Sequence, residues 1–406
     1  MLRSMNSAIA GLRAHQTKLD VTGNNIANVN TVGYKSSTTV FEDTLSQVMR
    51  NGSAPTAQAG GTNPAQVGLG VKVAGITTNF EQGSAQNTGR STDFMISGDG
   101  FFVTQAGNEQ LYTRAGSFNY DAFGNLVTPD GALLQGWMAT DGVVDTNRPI
   151  GTLAVPFGEV MQPTRTQNGQ VVGNLSSGAA VGAGSAVQTQ FTVYDALGTA
   201  QQINVTFTKT GANQWDVLTR DGNGATQTTG LTFSTAPGSE GQPTAGGTVT
   251  FTPSTGTWPG PITIDLTAMR QFGGASAPVP GDVDGNAMGT LQSISLSGDG
   301  TIMGVYSNNL KEPIGKLALA TFANPGGLAK AGNSSFRVGD NSGQPAIGEA
   351  GTGGRGSLVA GALEMSNVDL AEEFTGLIVA QRGFQANSRV ITSSDEVLQD
   401  LVNLKR

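Results

Sequence analysis

"SNVDLAEEFTGLIVAQRGFQANSRVITSSDEVLQDLVNLKR", residues 366–406, closes the chain, and its apolar spacing decides how the rest is read. Leu370, Phe374, Leu377, Phe384, Ile391, Leu398 and Val402 recur at steps of three, four and seven, which is one face of a helix. Gln381, Ser388 and Asp395 interrupt that stripe with polar side chains. Ser366 and Asp369 have the spacing of a capping box, and Glu372 and Glu373 put negative charge in the first turn, where the helix dipole favours it. Lys405 and Arg406 put positive charge at the other end. The pattern predicts a helix from about Asn367 to the end of the sequence.

The first residues carry a matching stripe. Leu2, Met5, Ile9, Leu12, Leu19, Gly23 and Ile26 follow a heptad rhythm, with Gln16 in one slot. An isolated amphipathic helix is marginal in water, so the two ends are expected to pair. Everything between them then becomes an insertion in a helical hairpin split across the termini. Where the first helix should stop, "DVTGNNIANVNTVGYK", residues 20–35, crowds Asn24, Asn25, Asn28 and Asn30 together. Asparagine tolerates left-handed backbone, caps exposed carbonyls and carries both a donor and an acceptor. These residues are expected to end the helix. Gly33 is expected to allow a turn, and Tyr34 to act as an aromatic anchor with a polar tip.

The long insert reads as β. The chain has 59 glycines, and in the middle they punctuate short β-branched runs. "DFMISGDGFFVTQ" (93–105) and "SISLSGDGTIMGVYS" (293–307) share Ser-Gly-Asp-Gly between strand-like runs, a hairpin signal that suggests two halves of one domain. Between them lie "QFTVYDALG", "QQINVTFTK", "TVTFTP" and "PITIDL", strands of a second domain looped out of the first. The turn Tyr-Asp-Ala-x-Gly occurs at Tyr120–Gly124 and again at Tyr194–Gly198. Residues 51–66, rich in Gly and Pro, read as an extended arm rather than core. The expected organisation is 1–30 with 366–406 as a helical core domain and 31–70 as a connecting arm. Residues 71–150 with 286–365 form a first β domain, and 151–285 an inserted outer one. The fold class is mainly β, nested and sandwich- or barrel-like, on a coiled-coil stem made of both termini.

Composition excludes several functions. Net charge is −8 with no basic cluster, which removes the electrostatic basis for nucleic-acid binding. No apolar run approaches the ~20 residues that cross a bilayer, so membrane insertion is not expected. There is no cysteine, hence no disulfide and no thiolate metal site. His15, the only histidine, sits within the first helix, and no G-x-S-x-G accompanies it. "DVDGNAMGT" (282–290) begins like a calcium loop, but Ala287 and Ser293 stand where Gly and Glu are needed. "GLGVKVAG" (68–75) has Val73 in place of the third glycine of a dinucleotide fingerprint, and "GTGGRGS" (351–357) has no P-loop lysine; both read as turns. No catalytic, cofactor or metal site is expected. The candidate site is the pair of helical stripes, Met5, Ile9, Leu12, Leu19 and Ile26 with Leu370, Phe374, Leu377, Phe384, Ile391, Leu398 and Val402, as an inter-subunit core. Beside it stands the motif Asn24, Asn25, Asn28, Gly33 and Tyr34.

"LDVTGNNIANVNTVGYK" (19–35) and "GALEMSNVDLAEEFTGLIVAQRGFQANSRVITSSDEVLQDLVNL" (361–404) resemble the end segments of bacterial flagellar rod and hook axial proteins. "VGLGVKVAGI" and "STDFMISGDGFF" resemble the same family where the chain enters its outward part. Rod members are typically much shorter, and the extra residues from about Gly151 place this chain with the hook members. The resemblance implies a self-assembling, curved and bendable tube with terminal helices lining a channel. In such a packed tube Asn24, Asn25 and Asn28 are expected to satisfy backbone groups of neighbouring helices as well as their own. It implies torque transmission from motor to filament, and export through the flagellar type III apparatus without signal cleavage. The implied partners are further copies of the chain, the distal rod protein, the hook-cap scaffolding protein and the hook–filament junction protein. The implied location is the extracellular part of the flagellum. A distal rod protein is the nearest alternative. A β-rich, glycan-binding surface protein with a coiled-coil stem is the alternative from another class.

Overall fold

The computed structural model describes residues 2–55, 60–140 and 142–403, with backbone alone at Leu2, Leu401 and Val402. The predicted contribution of the Val402 side chain, and the charges of Lys405 and Arg406, lie outside the described residues. Two helices, α1 (Leu2–Ala27) and α2 (Leu370–Asn403), bracket a chain otherwise built of strands. The chain forms two compact units. One comprises Met1–Pro156, Ile294–Met303 and Glu312–Arg406; the other comprises Phe157–Ser293 and Gly304–Lys311. The excursion into the second unit therefore starts later than residue 151. Gly151–Thr152 pairs with Gln135 and Gly136 and stays with the first unit. Gly304–Lys311 belongs to the second unit, where Ser307 N–H donates to the Thr290 carbonyl at 2.9 Å.

α1 and α2 pack antiparallel. Gly11 faces Asn387, His15 faces Gly383, and Asn25 reaches Glu373, so each step along α1 is matched by an equal step back along α2. Small and polar residues make this seam: Ala8, Gly11, Ala14, Thr22 and Asn25 are buried on α1, and Ala380 on α2. A Cβ at Gly383 would run into the His15 imidazole, which explains a glycine in a helix interior despite a cost of about 1 kcal/mol relative to alanine. The seam is not the apolar stripe expected from the heptads. Met5, Ile9, Leu12, Leu19 and Ile26 are only half-buried, as are Leu377, Ile391 and Leu398. Leu370, Phe374 and Phe384 are exposed. Small side chains bring the two axes close, and close axes push the large ones to the flanks of the contact.

Capping also differs from the expected box. Asp369 itself caps α2, its Oδ1 accepting from the N–H groups of Ala371 at 2.8 Å and Glu372 at 3.3 Å. Ser366 Oγ accepts from Val368 N–H, one step before the helix.

His15 packs edge-on against Phe41, with centroids 5.7 Å apart, and its Nδ1 is buried without a hydrogen-bond partner. Burial, and then the neighbouring Lys18 charge, lower its pKa below the usual 6.5. The folded state thus prefers the neutral ring, and this contribution to stability is lost as pH falls through the unfolded value. Urea denaturation at pH 7.5 and 5.5 should show a larger acid-induced loss for the parent than for His15→Gln. Equal losses would contradict this placement.

Residues 37–50 and 65–78 form a ribbon that runs through the expected connecting arm into the start of the first β domain. β1 (Ser37–Asp43) pairs with β4 (Val71–Thr78), and β2 (Ser46–Arg50) with β3 (Ala65–Gly68), all antiparallel. Val71–Gly75, read from sequence as part of a turn, is strand; the turn is confined to Leu69–Gly70, with Gly70 at φ +125°. The base of the ribbon lies on α1, where a Cβ at Gly70 would meet Ala10 and Ser7. The far half is exposed, with Leu45, Val48, Met49 and Val67 in solvent.

The β body of the helix-bearing unit is built on the strand Phe101–Ala106, which pairs with Glu109–Thr113, Leu133–Thr140 and Leu319–Thr321. Phe80, Phe101, Tyr112, Phe322 and Phe336 meet mostly edge-to-face, with centroids 4.8–5.9 Å apart. The first Ser-Gly-Asp-Gly is not a hairpin: Phe94–Ser97 pairs with Ser357–Ala360, in a different sheet from Phe101–Ala106. The second is a tight turn, closed by Ser297 N–H to the Thr301 carbonyl at 2.9 Å. Both lie beside one segment, since Gly356 N–H donates to the Asp99 carbonyl and Leu358 N–H to that of Gly298.

The second unit is a two-sheet sandwich. One sheet orders Val187–Tyr194, Ala200–Gly211, Gln214–Asp221, Thr226–Phe233 and Pro243–Ala245, all antiparallel. The other centres on Asn168–Ser176, with Ile262–Asp265 and Met269–Phe272 parallel to it. Their facing side chains, Trp215, Phe207, Leu231, Val171, Phe251 and Ile264 among them, form one buried cluster. Asp284 of the calcium-like stretch accepts hydrogen bonds from the backbone of Gln167 and Asn168, so it ties two strands.

Candidate functional site

The sequence crowds its asparagines where α1 ends, and there the helices, the ribbon and the β body meet. Asn25 is buried, and its carboxamide uses its whole bonding capacity. Nδ2 donates to the Ser37 carbonyl at 2.8 Å and to Glu373 Oε1 at 2.6 Å. Oδ1 accepts from Ser37 N–H at 3.0 Å and from the Tyr34 hydroxyl at 3.1 Å. One side chain thereby joins α1, the start of β1 and the first turn of α2.

Asn24 and Asn28 act locally. Asn28 Nδ2 caps the Asn24 carbonyl at 2.9 Å, and Asn24 Nδ2 donates to the Tyr34 hydroxyl at 3.0 Å. None of the four asparagines uses the left-handed backbone that asparagine tolerates; that conformation falls to Gly33, at φ +67°. Gly33 lies so close to the Arg114–Ala115 backbone that no Cβ fits, and its N–H donates to the Glu364 carbonyl at 2.8 Å. The Tyr34 ring lies under Lys330 Nζ at 5.4 Å. Burial, and then Glu373, raise the Tyr34 pKa, which keeps the phenol a donor at neutral pH.

Next to Tyr34 lies a buried charge cluster. Lys35 Nζ contacts Glu364 Oε1 at 2.7 Å and donates to the Glu81 carbonyl at 2.6 Å. Arg114 Nη1 reaches Glu364 Oε2 at 3.3 Å, and Gly83 N–H donates to Oε1 at 2.9 Å. The side chains of Lys35 and Glu364 are wholly buried. Burial lowers the Lys35 pKa against the opposing pull of Glu364. Asn367 completes the joint, accepting from Ser36 N–H at 2.8 Å and donating to the carbonyls of Asn79 and Glu81.

Sequence reasoning found Asn24, Asn25, Asn28, Gly33 and Tyr34, and the structure brings them together. It missed Lys35, Arg114, Glu364 and Asn367. One signal was available: Glu364 is a lone carboxylate between Leu363 and Met365, where an apolar strand residue is the ordinary choice. Glu372 and Glu373, read only as dipole compensation, divide in role, because Glu373 also accepts from Asn25.

Asn25→Asp keeps the shape but removes both donors and sets a carboxylate against Glu373. The expected cost is about 3 kcal/mol in urea denaturation, from unpaired buried groups and like charge. A change below about 1 kcal/mol would show that the joint does not depend on this carboxamide.

Comparison with known proteins bears on what this joint belongs to. Four family models match along the chain. They are described as Flagella basal body rod protein (residues 5–35) and Flagellar hook protein FlgE/F/G D1 domain (95–212). The others are Flagellar basal body protein FlaE D2 domain (182–297) and Flagellar basal body rod FlgEFG protein C-terminal (359–404). The flagellar hook protein FlgE of Borreliella burgdorferi is 40% identical over 442 residues, covering 100% of both chains. The chain belongs to the flagellar hook protein family. A second hook relative, from Salmonella typhimurium, is 37% identical over 420 residues and covers 99% of this chain and 100% of its own. The solved Helicobacter pylori flagellar hook protein FlgE2 aligns with a TM-score of 0.55 at 13% identity, over 69% of this chain and 100% of its own, which supports the fold. The chain is thus a structural hook subunit of the flagellum. The joint falls at the ends of two matched regions, Lys35 closing the first and Glu364 and Asn367 opening the last.

Proposed function

We propose that the chain self-assembles into a curved, flexible tube that couples rod torque to the filament and conducts exported subunits. The terminal helices form its inner wall, and the subunit reaches its place by the flagellar type III route without signal cleavage. The two ends of the tube meet the distal rod protein and the hook–filament junction protein, and the hook-cap scaffolding protein guides growth. One observation supports this reading most: large apolar side chains on α2 stay outside the intramolecular seam. Phe374, Ile378, Val379, Val390 and Val397 are all exposed along one 34-residue helix. Such a surface is a liability on a lone molecule and an asset in a packed cylinder. Among the described residues no helix is long and apolar enough to cross a membrane, and no group of three or more His, Cys, Asp or Glu is placed to hold a metal.

The test is negative-stain electron microscopy of the concentrated chain. Curved tubes are the expected product. Straight rods would favour a rod assignment, and a monodisperse monomer at all concentrations would overturn self-assembly.

A further inference from the structure

In the helix-bearing unit a cavity of about 280 Å³ opens among Phe80, Phe101, Phe322 and Pro325, with the exposed Asp99 on its wall. Arg114 also lines it. The guanidinium lies over the Phe101 ring at 5.4 Å, Nη1 is taken by Glu364, and the buried Nε–H has no hydrogen-bond partner. The cavity is smaller than the roughly 300–1,000 Å³ of small-molecule sites, and its size suits a single side chain. Asp99 opposes an anion. The aromatic walls favour a neutral ring, whose edge or face meets the phenylalanines.

The same unit displays such a ring. Phe123 is 87% exposed at the tip of the turn Asp121–Asn125. The turn is rigid: Asp121 Oδ1 accepts from the N–H groups of Phe123 and Asn125 at 2.8 Å, Oδ2 accepts from Asn125 Nδ2 at 2.7 Å, and Gly124 sits at φ +83°. The same backbone closure recurs at Thr128–Ala132, Asp195–Thr199, Asp221–Ala225, Ser297–Thr301 and Tyr306–Leu310. At the third position those turns carry Asp130, Leu197, Asn223, Asp299 and Asn308. Four of the five are short polar residues, so the turn geometry does not ask for phenylalanine. Packing within the chain does not ask for it either. An aromatic side chain held stiffly in water loses little entropy on docking, which is the profile of an interface anchor.

We infer that Phe123 of one copy seats in the Phe80–Phe101–Phe322 cavity of a second copy. The inference rests on the self-assembly reading above. Knob and hole are different patches of one chain, so in the tube the contact runs head-to-tail and repeats along an open helical polymer, whereas a reciprocal pairing of the two patches would stop at a dimer.

The absence of cysteine makes the test clean. A Phe123→Cys/Thr321→Cys variant places one thiol at the tip and one on the cavity wall. Assembled at the higher concentration that loss of the Phe123 ring demands and then oxidised, it should give a ladder of covalent multimers on a non-reducing gel, while each single-cysteine variant should give no species beyond a dimer. Phe123→Asn, which matches the Asn308 turn, should melt like the parent yet need at least a tenfold higher concentration to form tubes. Tubes of the double variant that yield no ladder, or tubes of Phe123→Asn at the parental concentration, overturn this contact and leave self-assembly standing. Absence of tubes from the parent overturns both.

Discussion

Glu364→Gln is expected to destabilise the helix-bearing unit by about 3–5 kcal/mol, the range for breaking a buried ion pair by removing one partner. Glutamine keeps the shape and one acceptor but leaves Lys35 and Arg114 as two buried cations around a neutral amide. Lys35 would keep the Glu81 carbonyl, Arg114 Nε lacks a partner, and the remaining carboxylate that acts on Lys35, Asp99, is solvent-exposed and a weak substitute for a buried one. A second substitution separates charge from packing. Lys35→Met/Glu364→Gln removes one stranded cation, so it should be less destabilised than Glu364→Gln alone, the non-additivity that marks direct coupling. Urea denaturation at neutral pH reads both. A Glu364→Gln variant within about 1 kcal/mol of the parent would mean that the cluster is not the clamp between the two ends of the chain.

The second large effect concerns assembly. Phe374 and Ile378 are 51% and 56% exposed, so replacing both with serine should shift the stability of the unassembled chain by about 1 kcal/mol. If both are buried in the polymer, each substitution removes about 1.5 kcal/mol or more of transfer free energy. The sum, about 3 kcal/mol per subunit, raises the concentration needed for tubes by more than a hundredfold. Sedimentation across a dilution series measures that threshold. A parental threshold in the double variant would place these side chains outside any contact between copies.

The helices were legible because a stripe at helical spacing is a property of the residues themselves. Pairing between the two ends was legible for the same reason, since neither stripe is stable alone. The seam was not. Ala8, Gly11, Ala380 and Gly383 carry no hydropathy signal, and only the closeness of the axes shows why small residues stand there. The far half of the ribbon was missed because β2 and β3 are fully exposed strands, with no alternation between a buried and a solvent face to betray them. In the second unit the strands Gln214–Asp221 and Thr226–Phe233 went unnoticed, although the first alternates strictly between exposed and buried. At the joint the motif residues were found from composition. The charges were not, because Lys35 meets Glu364 only after more than 300 residues of intervening chain.

The central claim is that the apolar flanks of the two terminal helices are covered by other copies of the chain. A cryo-electron microscopy reconstruction of assembled tubes, resolved to side chains, tests it most directly. The account predicts Phe374, Ile378 and Val379 in van der Waals contact with helices of neighbouring copies around a central channel. Those residues facing water, with β regions making every contact between copies, would contradict it.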